Sequence, residues 1–121
     1  GWSSEEIGID IERKDRNFSY QKICKRFYSE QENINLKKLS KKNKREFVLE
    51  NWIMKESAFK CQNDELISEF FKWEWDRKSD ICFKQGTDEK LKFTMMQHQS
   101  WSIGVASSLF DELSEPIICI F

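Results

Sequence analysis

Asp10 and Glu12 stand two residues apart in the stretch Ile7-Gly8-Ile9-Asp10-Ile11-Glu12. Apolar and polar residues alternate here, the signature of a short strand with isoleucines on one face and carboxylates on the other. At a rise of about 3.3 Å per residue the two carboxylates lie roughly 7 Å apart, and they repel unless a cation sits between them. A second group follows in Trp52-Ile53-Met54-Lys55-Glu56-Ser57-Ala58-Phe59-Lys60. Read as helix, this stretch puts Glu56 and Lys60 one turn apart on one face, a pair worth about 0.2–0.5 kcal/mol when it is only an ordinary helix pair. A strand offering two acids and a helix offering an acid and a base point together to a divalent metal holding a phosphorylated ligand. The three isoleucines flanking the acids imply that the strand is buried.

The remaining chain supplies elements to hold these groups. Residues 7–12 form the strand and residues 13–17 a polar connection. From Ser19 to Tyr28, Tyr20, Ile23, Cys24 and Phe27 recur at the spacing of one helical face. Ser29-Glu30-Gln31-Glu32 has the form of a capping box, with Ser29 as N-cap, and opens a short helix carrying Ile34, Leu36 and Leu39. Asn43-Lys44-Arg45-Glu46 is a second capping-box candidate at the head of the longest helix, 44–61. Beyond Leu66 the period becomes alternating. Phe71, Trp73 and Trp75 face one way and Lys72, Glu74 and Asp76 the other, with strands expected at 81–84, 91–97 and 101–107 and a last edge strand at 117–121. The order strand, three helices, strands predicts an α+β fold in which an antiparallel sheet packs against helices. The expectation is one domain over residues 1–121.

Composition narrows the function. The net charge of −1 provides no global field for nucleic acid, although Lys37, Lys38, Lys41, Lys42, Lys44 and Arg45 form a basic cluster. No apolar run is long enough to span a membrane, so none is expected as a partner. Four cysteines without a C-x-x-C pair, and a single histidine, His98, argue against zinc. Reduced, partly buried thiols fit a cytoplasmic protein.

The two motifs together resemble the signature of the 4′-phosphopantetheinyl transferase superfamily: I-G-I-D-I-E followed by W-x-x-K-E-S-x-x-K, with Lys25-Arg26-Phe27-Tyr28-Ser29 and Glu32 similar to the family's middle segment. The likeness is strongest to the type that activates surfactin synthetase. It implies transfer of the 4′-phosphopantetheine arm of coenzyme A to a serine of an acyl or peptidyl carrier protein, releasing 3′,5′-ADP, in fatty acid, polyketide or nonribosomal peptide synthesis. It implies Mg²⁺ held by Asp10, Glu12 and Glu56, coenzyme A phosphates contacted by Lys60 and Lys55, and a carboxylate base, Glu56 first and Glu32 second. Lys22, Lys25, Arg26 and Phe27 correspond to a region that docks carrier proteins. Single-domain relatives, the holo-acyl-carrier-protein synthases, form homotrimers with sites between subunits. The surfactin-activating type joins two similar halves. A homo-oligomer or a second half-domain is therefore expected to complete the coenzyme A site. The competing reading is a non-catalytic, transferase-like module for carrier docking or subunit assembly.

Overall fold

The computed structural model of the protein describes residues 7–62 and 66–108. β1 (Ile7–Arg13) is followed by α1 (Tyr20–Phe27), α2 (Glu30–Lys37), α3 (Lys41–Cys61) and the single turn α4 (Ile67–Phe70). Four strands then form a meander: β2 (Trp73–Asp76), β3 (Ile81–Lys84), β4 (Lys90–His98) and β5 (Trp101–Ser107). All pair antiparallel in one sheet of order β1-β5-β4-β3-β2, so the first strand closes against the last described one. This is the expected α+β architecture. The strand expected at 117–121 lies outside the described residues.

α3 organises the packing. No glycine or proline interrupts Lys41–Cys61, and 21 residues give a rod about 30 Å long. Its N-cap is Ser40, whose hydroxyl accepts from the Asn43 N–H. The helix therefore starts three residues earlier than the expected Asn43 capping box. The box expected at Ser29 does form: the Ser29 hydroxyl accepts from the Glu32 N–H and a Glu32 oxygen accepts from the Ser29 N–H. Leu49, Ile53, Met54, Ala58 and Cys61 of α3 pack on Trp73, Cys82, Leu91, Phe93 and Ala106 of the sheet. A second cluster, Cys24, Tyr28, Leu36 and Val48, joins α1 and α2 to α3. Burial pushes the thiol of Cys24 up to about 11 and that of Cys82 up to about 12, so neither is a ready nucleophile.

The alternation expected from Phe71 onward begins only at Trp73, because residues 67–70 make a helical turn first. A second difference matters more. Among the described residues β1 is an edge strand, and its isoleucines face outward with 46%, 46% and 52% of their surface exposed. The carboxylates, not the isoleucines, face the helix layer. The reason is Gly8. A Cβ there would come within 1.9 Å of the Ser57 carbonyl oxygen and 2.5 Å of the Cys61 nitrogen. Only a residue without a side chain lets α3 lie directly on the strand. Gly104 on β5 does the same under Ile53, whose Cγ2 would lie 2.4 Å from an added Cβ. Among the described residues no helix is long and apolar enough to cross a membrane.

Candidate functional site

The period of α3 sorts its side chains into three rows. Leu49, Ile53 and Ser57 lie over the sheet, and Val48, Asn51 and Lys55 point into the layer shared with α1, α2 and β2. Trp52, Glu56, Phe59 and Lys60 follow at three- and four-residue spacing on the third side, half-buried to exposed. With Gly8 pressed to the helix, the alternation of β1 carries Asp10 and Glu12 on the same face toward this third row.

Asp10 is 7% exposed. Its Oδ1 accepts from the Lys60 ammonium at 3.2 Å, and the same ammonium donates to the Ile9 carbonyl at 3.2 Å. Its Oδ2 is buried with no hydrogen-bond partner among the described residues. Glu12 Oε2 lies 2.8 Å from Arg16 Nη1. Burial raises the pKa of the Asp10 carboxyl, the Lys60 ammonium opposes this, and repulsion from Glu12 adds a smaller upward contribution. Burial likewise raises the Glu56 carboxyl, with repulsion from Asp10 next and a smaller contribution from Glu12. Asp10 and Glu56 are thus both harder to ionise, and like charge from neighbouring carboxylates contributes at each.

This donor set suits a hard divalent cation. All its ligands are carboxylate oxygens, one of them buried and without a partner, and the mutual repulsion is what a cation relieves. Among the described residues no three His, Cys, Asp or Glu side chains already stand in a metal-holding arrangement. The Lys60 ammonium and the Arg16 guanidinium neutralise Asp10 and Glu12 instead. Magnesium needs only one or two carboxylates, with waters and phosphate oxygens filling the remaining positions. The residues present fit it once they exchange these side-chain cations for the ion.

The structure does not bring Lys55 or Glu32 to this junction. Lys55, expected on a coenzyme A phosphate, is fully buried. Its ammonium lies 2.8 Å from Glu32 Oε1, donates to the carbonyls of Phe71 and Trp73, and stands 5.3 Å from the centre of the Tyr28 ring. Glu32, the second choice for a base, is 4% exposed and spends one oxygen on both this pair and the capping box. Burial raises the Glu32 pKa and lowers that of Lys55, each opposed chiefly by the other's charge. The three N–H donors of the ammonium meet three acceptors, Glu32 Oε1 and the carbonyls of Phe71 and Trp73. Its physical role is to fasten α2 and β2 to α3. Glu74, bonded to the Ser29 hydroxyl and to Gln85, extends the same buried network.

Lys22, Lys25 and Arg26 are exposed on α1, next to a cleft of about 500 Å³ lined by Lys25, Lys37 and Lys44 over Cys24 and Leu36. Phe27 is half-buried. Its ring meets Trp52 edge-on at 5.5 Å and Phe70 at 5.6 Å, and Phe59 meets Phe70 at 5.8 Å. Phe27 therefore ties α1 to the third row of α3, one turn before Glu56. Two residues that the motifs did not single out also shape the site: Arg16, on Glu12, and Arg45, which grips the loop carrying Arg16. Gly8 was visible as a glycine inside a strand pattern, a recognised mark of close backbone approach. His98 ends β4, exposed and opposite Trp101.

No curated protein sequence matches the chain. The crystal structure of Thermotoga maritima holo-[acyl-carrier-protein] synthase superposes with a TM-score of 0.59 at 18% identity, covering 84% of this chain and 61% of that one. The match thus spans less than two thirds of that synthase, and at this identity it establishes the shared fold. The family model of the 4′-phosphopantetheinyl transferase superfamily matches residues 6–108, from the acid strand to the end of β5. The chain belongs to the 4′-phosphopantetheinyl transferase superfamily.

Proposed function

We propose that the protein transfers the 4′-phosphopantetheine arm of coenzyme A to a serine of an acyl or peptidyl carrier protein, releasing 3′,5′-ADP. The observation that carries this reading is Asp10, buried on β1 beside Lys60 of α3 with one carboxylate oxygen unpartnered, its charge acting on Glu56 of the same helix. In this reading Asp10, Glu12 and Glu56 hold Mg²⁺. Bound there, the ion supplies Lewis-acid stabilisation of charge on the pyrophosphate. Lys60, exposed at its tip, binds a phosphate oxygen and offsets charge on the departing 3′,5′-ADP. The carrier serine oxygen forms a bond to the phosphorus bearing the pantetheine arm, and the phosphoanhydride bond to 3′,5′-ADP breaks. The serine proton passes to Glu56, directly or through a water. Glu32 and Lys55 act at a distance, by fixing α3 on α2 and β2.

The docking face in this reading is α1. Lys22, Lys25 and Arg26 meet an acidic carrier helix, with Phe27 at the apolar edge of the contact and the neighbouring lysine-lined cleft continuing the positive surface. The exposed strip of Ile7, Ile9 and Ile11 on the edge strand supports a second copy or a second half-domain packed beside β1 to complete the coenzyme A site. The Trp-x-x-Lys-Glu-Ser form of the helix motif favours the surfactin-synthetase-activating type.

The test is to incubate the chain with coenzyme A, Mg²⁺ and an apo carrier protein and to weigh the carrier. A gain equal to one phosphopantetheine arm, abolished by Glu56→Gln, supports the reading. A carrier left unmodified by the oligomerised protein, in the presence of both co-substrate and metal, refutes it.

A further inference from the structure

The loop after the acid strand lays a cation directly on one of the acids, and the way that loop is held makes the cation a pivot. Arg16 Nη1 is 2.8 Å from Glu12 Oε2, yet 47% of the Arg16 side chain remains exposed. Its main chain is much less free. The Arg16 N–H donates to the Arg13 carbonyl at 3.2 Å, and the Lys14 N–H donates to the Ser100 carbonyl at 2.8 Å. On the other side the Arg45 guanidinium donates to the carbonyls of both Lys14 and Arg16. Arg45 is itself steadied 5.1 Å above the Phe18 ring. Backbone bonds from two directions fix where the Arg16 side chain starts, while its tip stays in solvent within reach of the acids. Its charge acts on Asp10 and Glu56 as well as Glu12. Lys60, the other cation at the junction, is held differently, because it shares its ammonium between Asp10 and the Ile9 carbonyl.

Building on the proposed function, we propose that Arg16 is a displaceable counter-ion that links metal binding to coenzyme A binding. In the metal-free protein it neutralises Glu12. When Glu12 takes a divalent ion, the guanidinium transfers to an oxygen of the coenzyme A diphosphate, which the ion draws to the same place. A guanidinium suits both partners because its fork of N–H donors matches carboxylate and phosphate alike. Arg45 is then a positioning residue, since it keeps the pivot within reach of both. The exchange is eased because the Arg16 end of the pair stays half in solvent.

The experiment measures Mn²⁺ affinity of the full chain from the resonance of the free aquo ion, and coenzyme A affinity by calorimetry with and without Mn²⁺. Arg16→Gln should bind Mn²⁺ alone about two- to fivefold more tightly, since the competitor is gone. In the presence of Mn²⁺ it should bind coenzyme A roughly tenfold more weakly, and without Mn²⁺ almost as well as the parent. Arg16→Lys should restore part of the metal-dependent coenzyme A binding, and Arg45→Met should weaken that binding while leaving Mn²⁺ affinity no lower. Unchanged or weaker Mn²⁺ binding by Arg16→Gln overturns the proposal, as does a coenzyme A loss of equal size with and without Mn²⁺. If the parent binds both ligands and Arg16→Gln behaves like it, only the role of Arg16 falls. If the parent binds neither, the proposed function falls with it.

Discussion

Replacing Gly8 by alanine tests the contact on which the site depends. On propensity alone the change should help, because glycine inside a strand costs roughly 0.5–1 kcal/mol relative to alanine. The geometry reverses that sign. The new Cβ would stand 1.9 Å from the Ser57 oxygen and 2.5 Å from the Cys61 nitrogen, whereas packed atoms settle about 3.5 Å apart, so strand and helix must separate by roughly 1.5 Å. Both obstructing atoms are main chain in the last turn of α3, and no rotamer change relieves them. Overpacking ordinarily costs about 1–3 kcal/mol, and this case belongs at about 3 kcal/mol or above. For a domain of this size that corresponds to a fall in Tm on the order of 10 °C. Urea denaturation should show a lower midpoint with unchanged slope. Two controls separate the cause from a general intolerance of glycine replacement. Gly104→Ala meets the Ile53 and Phe93 side chains, which can shift, and should cost about 1–2 kcal/mol. Gly86→Ala meets nothing within 4 Å but sits at φ +77° and should cost about 1 kcal/mol. A Gly8→Ala protein as stable as the parent would refute the close approach, and with it the argument that Asp10 and Glu12 are held against α3.

Four further outcomes follow from the same geometry. Burial, with a smaller contribution from neighbouring carboxylates, raises the Asp10 and Glu56 carboxyls above their ordinary values of 3.8 and 4.5. The folded chain therefore binds these protons more tightly than the unfolded one, and the stability this confers is complete below those ordinary values and lost as pH rises through the raised ones. Asp10→Asn should accordingly stabilise the metal-free protein at neutral pH and flatten this part of its stability–pH curve, measured as urea midpoints in a chelator. Mg²⁺ at a hundredfold excess over its Kd should stabilise the parent by about 2.7 kcal/mol in thermal unfolding and leave Glu56→Gln nearly unmoved. Glu32→Gln or Lys55→Met alone should cost about 3–5 kcal/mol by leaving a buried charge or its partners unpaired, and the double change Glu32→Leu/Lys55→Met should recover most of that loss in chemical denaturation. Lys60→Ala should alter stability by less than about 1 kcal/mol but lower kcat/KM about a hundredfold in the carrier-modification assay.

What could be read in the chain divides according to the range of the interaction concerned. Alternation, capping and turn residues are local, and they located β1, α1, α2 and the meander closely. Ser29 and Glu32 form the box their spacing announced. Where the reading slipped, a tertiary contact decided. Nothing in Ile7-Gly8-Ile9-Asp10-Ile11-Glu12 says which face a sheet will bury. Three isoleucines argue for their own side, and one glycine, by admitting α3, outweighs them. Lys55 and Glu56 are neighbours in sequence and similar in polarity, yet a helix turns them about 100° apart. One enters a sealed pair with Glu32 and the other borders the acids. Arg16 was unreadable for a related reason. It follows Glu12 by four positions, as a helical partner would, but the chain between them is a strand end and a turn, and the pairing exists because Arg45, far along in sequence, holds that turn.

The acid site is unfavourable in isolation, and its construction shows how the unfavourable state is sustained. Asp10 is buried with one oxygen unpartnered, and Glu56 is half-buried facing like charge. Neither arrangement stabilises the metal-free chain. The rest of α3 supplies the compensation: the row over the sheet packs Ile53 between Gly104 and the core, and the row toward α2 ends in the Glu32–Lys55 pair. With the helix fixed from two sides, the third side has no freedom to move its carboxylate away from the strand. The repulsion therefore persists as an affinity for cations, met in this structure by Lys60 and Arg16 and, in the proposed function, by a divalent ion with a diphosphate. A looser helix would relax the acids apart and weaken that affinity. Substitutions at Gly8 or Lys55 should therefore reduce metal binding although neither residue touches the metal.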